Sequence, residues 1–227
     1  MKVIILAAGV GSRLGRPFPK SLIKLKTGET IMERQLSIIG EFISIDDTGI
    51  VVGFKKSVIM EVCPDASFIY NPYFSVTNTS KSLLRGLKKM AGSDVLWLNG
   101  DLVFERNIME RVIAKTGEGK PFCVVNGAKV GEEEVKYKSD ENGNITEISK
   151  QVTDAEGEAV GINFITADKL DELIKRLNEV DDNDYFEKGM ENAIKDKSIT
   201  FSKLDISPLN CIEIDFLEDL MQANSFF

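Results

Sequence analysis

Histidine is absent from all 227 residues, and that absence removes whole classes of chemistry. Ser-His-Asp hydrolysis and imidazole acid–base catalysis have no base to work with, and a Cys/His zinc site goes with them. Cysteine is scarce: Cys63, Cys123 and Cys211 stand far apart with no C-x-x-C spacing. They read as small buried apolar residues in a reducing compartment, since no imidazole is there to activate a catalytic thiol. No apolar run approaches the ~18 residues of a membrane span, and the opening apolar run is too short for a signal-peptide core. Positive charge is in deficit. A net charge of −8 argues against the basic stripe of a nucleic-acid-binding surface. These absences predict a cytoplasmic protein that binds neither nucleic acid nor membrane.

What is present is concentrated at the start. Residues 1–25 read MKVIILAAGVGSRLGRPFPKSLIKL. The apolar run Val3–Ala8 predicts a buried strand, and Gly9 and Gly11 end it where a missing Cβ lets backbone approach a ligand. The exposed N–H groups of such a turn form a nest for oxyanions. Ser12, Arg13 and Lys20 follow closely and add donors and positive charge where a polyphosphate would lie. The spacing is not that of a P-loop, and the third glycine of a dinucleotide fingerprint is replaced by Leu14. Nucleoside triphosphate binding is the chemistry this stretch suits.

Strand-length apolar runs recur at Gly49–Val52, Phe68–Tyr70, Val95–Leu98 and Phe122–Val125, with helical periodicity over 30–40 and 79–90 between the first four strands. That alternation predicts one α/β domain spanning 1–227, with a Rossmann-like, mostly parallel sheet flanked by helices. Ligands bind such sheets at the carboxyl ends of the strands, where Gly9, Gly11, Gly100 and Asp101 are expected. Residues 126–165, turn-rich around Asn142-Gly143-Asn144, read as a small antiparallel insertion forming part of an acceptor site. Helices are predicted at 168–178, 183–195 and 216–223, and a strand at Ile199–Leu204.

Two carboxylates look like ligands for a hard divalent ion. Asp101 ends the run Val95–Gly100, so a buried strand delivers it to an exposed edge. In Ile212-Glu213-Ile214-Asp215 the alternation puts both acids on one face. Asp215 also suits the N-cap of the helix that follows, and Glu213 is an alternative ligand. The acidic run 181–184 suits a helix N-cap too.

AAG-x-GSRL with a downstream PK-S-L resembles the opening of the nucleotidyltransferase family that includes the sugar-1-phosphate nucleotidyltransferases. Asn71-Pro72 leading into TNTSKSLL, LNGD at 98–101, KVGEEEVKYKSDENGNITEISK at 129–150, EAVGI at 158–162 and EIDFLEDL at 213–220 are similar to its small CTP-dependent branch, the phosphocholine and phosphonate cytidylyltransferases. The resemblance implies transfer of CMP from CTP to a small anionic acceptor, with pyrophosphate released. It implies Mg²⁺ on Asp101 and Asp215, with Arg13 on the β- and γ-phosphates and Lys20 near the α-phosphate or the acceptor. The nucleotide would touch Leu6, Ala7, Ala8, Gly9, Gly11, Ser12, Arg13 and Gly100, with Asn78 and Ser82 at the base and ribose. Where the sugar enzymes carry a glutamine and a Gly-Thr pair, this chain has Thr77-Asn78-Thr79-Ser80-Lys81-Ser82, a departure that favours CTP. Lys136, Lys150, Glu158, Asp184, Tyr185 and Glu187 match the branch's acceptor region; exposed lysines on an alternating strand and a solvated helix cap explain the same patterns without a ligand. A sugar-1-phosphate nucleotidyltransferase and a non-catalytic nucleotide-binding subunit are the alternatives, and a homodimer is left open.

Overall fold

The run Lys2–Ala7 forms strand β1, with Val3 and Ile5 directed to one face of a sheet and Ile4 and Leu6 to the other. Both faces are buried because β1 lies between two parallel neighbours and helices cover both sides. The computed structural model describes residues 1–11, 18–128, 130–131 and 134–226. In chain order the strands that follow β1 are β2 (Thr48–Val52), β3 (Ser67–Tyr70), β4 (Val95–Asn99), β5 (Leu102–Phe104), β6 (Phe122–Asn126), β7 (Lys136–Ser139), β8 (Ile145–Ser149), β9 (Gly157–Ile165), β10 (Ser202–Asp205) and β11 (Cys211–Glu213). The helices are α1 (Ile31–Gly40), α2 (Lys56–Val62), α3 (Thr79–Lys89), α4 (Arg106–Thr116), α5 (Ala167–Glu179), α6 (Phe186–Lys195) and α7 (Leu217–Ala223).

The main sheet runs β10-β6-β9-β4-β1-β2-β3. Strands β4, β1, β2 and β3 are mutually parallel, as are β10 and β6. Strand β9 runs against its neighbours β4 and β6. This is the expected α/β architecture with one refinement. Residues 157–165, which the sequence places in an antiparallel insertion, run through the middle of the main sheet; the β7–β8 hairpin hangs from the start of β9. A separate pair, β5 and β11, is antiparallel.

One face of the sheet packs Met32 and Ile39 of α1 with Ile108, Met109 and Val112 of α4. The other packs Leu83 and Leu87 of α3, Leu173 and Leu177 of α5, and Phe186 and Met190 of α6. The ring of Phe186 meets Trp97 of β4 edge-on, centroids 6.0 Å apart. Local signals set the helix starts. Thr30 and Glu33 form a reciprocal capping box on α1, with bonds of 3.1 and 2.7 Å. Asn78 caps α3, its side-chain oxygen accepting from the Thr79 N–H at 2.8 Å.

Candidate active site

The carboxyl ends of β1 and β4 lie side by side, Leu6 opposite Asn99, and the chain leaves β4 through Gly100 into Asp101. The Gly100 N–H donates to the Leu6 carbonyl at 2.9 Å. A Cβ on Gly100 would stand 2.7 Å from that oxygen, so only glycine lets the two strand ends come so close. From below, the buried Gln35 amide donates to the carbonyls of Asn99 (3.0 Å) and Leu102 (2.8 Å) and pins the loop that carries Asp101.

β11 delivers the other acids. It pairs with β5 so that Glu213 lies opposite Leu102, and the Ile214 N–H donates to the Asp101 carbonyl at 3.0 Å. Ile214 is fully buried, which turns Glu213 and Asp215 the other way. Oxygens of Asp101, Glu213 and Asp215 all lie within 4.8 Å of one another. The Lys20 ammonium donates to Asp101 at 3.1 Å and also to Asp215. The cap position of α7 belongs to Phe216, so the Asp215 carboxylate serves Lys20 rather than the helix.

Three half-buried carboxylates around one ammonium leave unbalanced negative charge, and the protonation equilibria register it. Burial pushes Asp101 up, against the pull of Lys20, and leaves it above its ordinary value. Burial and the fields of Asp101 and Asp215 push Glu213 well up. For Lys20 burial pulls the pKa down, but Asp101 and Asp215 outweigh it and keep the ammonium charged. An all-oxygen, electron-rich set already holding one cation fits a hard divalent ion such as Mg²⁺.

A cavity of about 310 Å³ opens from this cluster. Leu6, Ala8, Gly9 and Gly11 line it, together with Asn78 and Ser82 of the α3 start and with Lys150, Tyr185 and Glu187. Ala7 and Gly100 line a smaller adjoining recess of about 140 Å³. Glu158 lies instead in a neighbouring cavity of about 460 Å³ with Glu134 and Asp219, where its carboxylate accepts from the Gly131 N–H at 3.1 Å. Two predicted acceptor residues line neither space. Asp184 accepts from the Asp181 N–H at 2.9 Å, which folds its carboxylate into its own turn. Lys136 sits on β7 between Glu158 and Ser149. Ser12 and Arg13 fall outside the described residues.

Several lining residues were not picked out in the sequence: Phe74, Asn99, Glu134 and Phe186. The Asn99 amide donates to Glu213 at 3.4 Å, and its place in LNGD was the signal available for it. The hydroxyls and amides at the start of α3 also hold the scaffold. Ser82 accepts from the Asn71 amide at 3.1 Å, and Asn78 donates to the Asn183 carbonyl at 3.2 Å.

The model of the MobA-like NTP transferase domain matches residues 3–183. The chain belongs to this nucleotidyltransferase family. Over 123 residues it is 31% identical to CMP-5'-(3-aminopropyl)phosphonate synthase of Streptomyces rubellomurinus, covering 50% of this chain and 19% of that protein. Over 140 residues it is 32% identical to the bifunctional protein GlmU of Methanococcus maripaludis, covering 55% of this chain and 32% of that protein. The match thus spans less than a third of either curated relative. Among solved structures, CTP:phosphocholine cytidylyltransferase from Streptococcus pneumoniae superposes with a TM-score of 0.77 at 18% identity, over 99% of this chain and 98% of that one. The inositol-1-phosphate CTP transferase from T. maritima gives 0.76 at 14% identity, over 99% and 96%. At these identities the likeness shows a shared fold.

Proposed function

We propose that this member of the NTP transferase family is a Mg²⁺-dependent cytidylyltransferase that moves CMP from CTP to a small phosphate or phosphonate head group with a cationic end. The observation that carries the reading is the cluster at the strand ends, where Lys20 bridges Asp101 and Asp215 beside Glu213 at the edge of the cavity. An oxygen of the acceptor phosphate attacks the α-phosphorus. The bond to the bridging oxygen of pyrophosphate breaks, and pyrophosphate leaves with the electron pair. Both reactants are anions, so positioning and charge neutralisation dominate the catalysis.

Asp101 and Asp215, supported by Glu213, would hold the metal, which supplies positive charge to the phosphates when bound. Lys20 is oriented by its two carboxylates and places an ammonium where the transferring group or the acceptor's anion would lie. Gly9 and Gly11 keep that side of the cavity open to phosphate, and the motif assigns Ser12 and Arg13 to the same group. Asn78 and Ser82, at the start of α3, face the base and ribose. On the acceptor side Lys150 suits an anion, while Tyr185 and Glu187 suit a cation. Glu158 lines the neighbouring cavity, and Lys136 and Asp184 line neither, so these three are left out of the proposed acceptor set. The similarity to an aminoalkylphosphonate enzyme supports this acceptor class. The buried cysteines are free, in keeping with a reducing cytoplasmic setting, and among the described residues no helix is long and apolar enough to cross a membrane.

Pyrophosphate release tests the reading, with CTP, Mg²⁺ or EDTA, and a panel of aminoalkylphosphonates, phosphocholine and sugar 1-phosphates. Mg²⁺-dependent release with an aminated acceptor is expected. Preference for neutral sugar phosphates would replace it with the sugar-nucleotide reading, and an absence of pyrophosphate release with every acceptor tried would favour the non-catalytic nucleotide-binding subunit.

A further inference from the structure

Among the described residues two cations line the main cavity, and they are held in opposite ways. Lys20 is locked between Asp101 and Asp215. Lys150, the residue after β8, makes no hydrogen bond or ion pair among the described residues. Its ammonium lies over the Tyr185 ring, 4.9 Å from the centroid, in the fields of Glu187 and Glu134. Glu187 is only 9% exposed, in the first turn of α6, and no other side chain among the described residues hydrogen-bonds its carboxylate. A buried carboxylate left in that condition is costly, and it lines the cavity beside an aromatic face. A ring face with a nearby carboxylate is the chemistry that receives an ammonium ligand.

We propose that Lys150 occupies, in the ligand-free protein, the subsite that the acceptor's own ammonium takes, and leaves it for the acceptor's anionic group when that ammonium arrives. This deepens the proposed function and rests on its assignment of the cavity wall to the acceptor. It makes Lys150 a selector for zwitterions. An acceptor with a phosphate but no ammonium must draw Lys150 off Tyr185 with nothing to replace it. An acceptor with both charges supplies the replacement itself. The looseness of the contact is what permits the exchange: a direct ion pair to Glu187 would resist it.

Two probes separate the halves of the site. Ethylammonium carries only the cation and methylphosphonate only the anion; both are titrated by calorimetry without CTP. Lys150→Met should tighten ethylammonium about two- to fivefold, the value of one removed competing cation–π contact, and should weaken methylphosphonate. Lys150→Arg should restore the parent's values in direction for both, and Glu187→Gln should weaken ethylammonium alone. By NMR, the Lys150 methylene protons next to nitrogen should carry an upfield ring-current shift that collapses as ethylammonium is added. Ethylammonium binding that is unchanged or weaker in Lys150→Met would overturn the proposal, as would a methylphosphonate affinity that ignores the substitution. None of these readouts needs turnover. Probes that behave as expected in a protein that releases no pyrophosphate from CTP would remove the cytidylyltransferase reading and leave the exchange standing.

Discussion

The backbone N–H of Ile214 donates to the carbonyl of Asp101 at 3.0 Å, and this one bond sets the segment carrying Asp101 beside the one carrying Glu213 and Asp215. It extends the β5–β11 ladder by a rung. With Ile214 buried in a small cluster with Leu25, Ile31 and Val103, the acids on either side of it are turned toward Asp101. The site is therefore built by long-range strand pairing and not by any local motif.

Asp101→Asn and Asp215→Asn should each lower turnover by on the order of a hundredfold or more, the usual scale for removing a group that stabilises transferring charge. Metal dependence should weaken in parallel. Each substitution keeps side-chain volume, and relief of repulsion among three carboxylates offsets the lost bond to Lys20, so stability should stay within about 1 kcal/mol of the parent. Pyrophosphate release against Mg²⁺ concentration, with a urea melt as control, checks both. Near-normal turnover in either variant removes that residue from the metal site.

Gly161 offers a test one step back from the reacting atoms. It holds φ +75 within β9, and a Cβ there would lie 2.7 Å from the Asn99 amide nitrogen, the group that donates to Glu213. Gly161→Ala combines a left-handed backbone with a displaced support, and should cost about 1–3 kcal/mol of stability. Turnover at a temperature where the variant remains folded should also fall, because Glu213 loses its donor. A stable variant with normal turnover would show that Asn99 does not position the cluster.

Much of this was legible beforehand because the strands nearest the site are local and unambiguous. The runs at 3–8 and 95–98 are apolar at every position, and they end in residues that belong at strand ends. Asp101 could be placed from its run alone. Glu213 and Asp215 shared a face by alternation, though which partner each met could not be read. The interior position of β9 was hidden, since Gly157–Ile165 says nothing about lying between β4 and β6; that order is decided by pairing with strands far away in sequence. Asp184 looked like an acceptor ligand and is bound into its own turn, because a short run of Asp and Asn satisfies local N–H groups first. Glu134 has no local signal, and becomes notable only when folding brings it beside Glu158 and Lys150.

Nucleotide choice should follow the start of α3. A site fitted to the cytosine edge rejects UTP, because exchanging the exocyclic amine for a carbonyl turns a donor into an acceptor. An unsatisfied buried group costs about 1–3 kcal/mol, roughly ten- to a hundredfold. Asn78 also joins α3 to the 181–184 turn, so Asn78→Ala should raise KM for CTP and loosen the wall that carries Tyr185. Equal kcat/KM for CTP and UTP would sink the cytidylyl assignment.

Glu187 ties stability to acceptor binding through pH. Burial pushes its carboxyl up to about 7, with its own backbone N–H and Lys150 opposing. The folded state therefore holds this proton more tightly than the unfolded chain does. The contribution to stability is full below the ordinary carboxylate pKa of 4.5 and is lost as pH rises toward 7. Ionised and buried, Glu187 costs about 3 kcal/mol, and Glu187→Gln escapes that cost. The variant should melt roughly 5 °C or more above the parent at pH 8, and the gap should close as pH falls through 4.5. Function should move the other way. With the charge gone, KM for an amine-bearing acceptor should rise about tenfold or more, the scale of a charge-assisted contact, while KM for CTP stays nearly fixed. In the parent, affinity for the amine should grow between pH 6 and 8 as Glu187 ionises, and in Glu187→Gln that slope should vanish. A melting gap independent of pH would mean the carboxyl is not the group lifted by burial. An unchanged acceptor KM would place the acceptor's cation elsewhere, with the Glu158 and Glu134 cavity next to be tested.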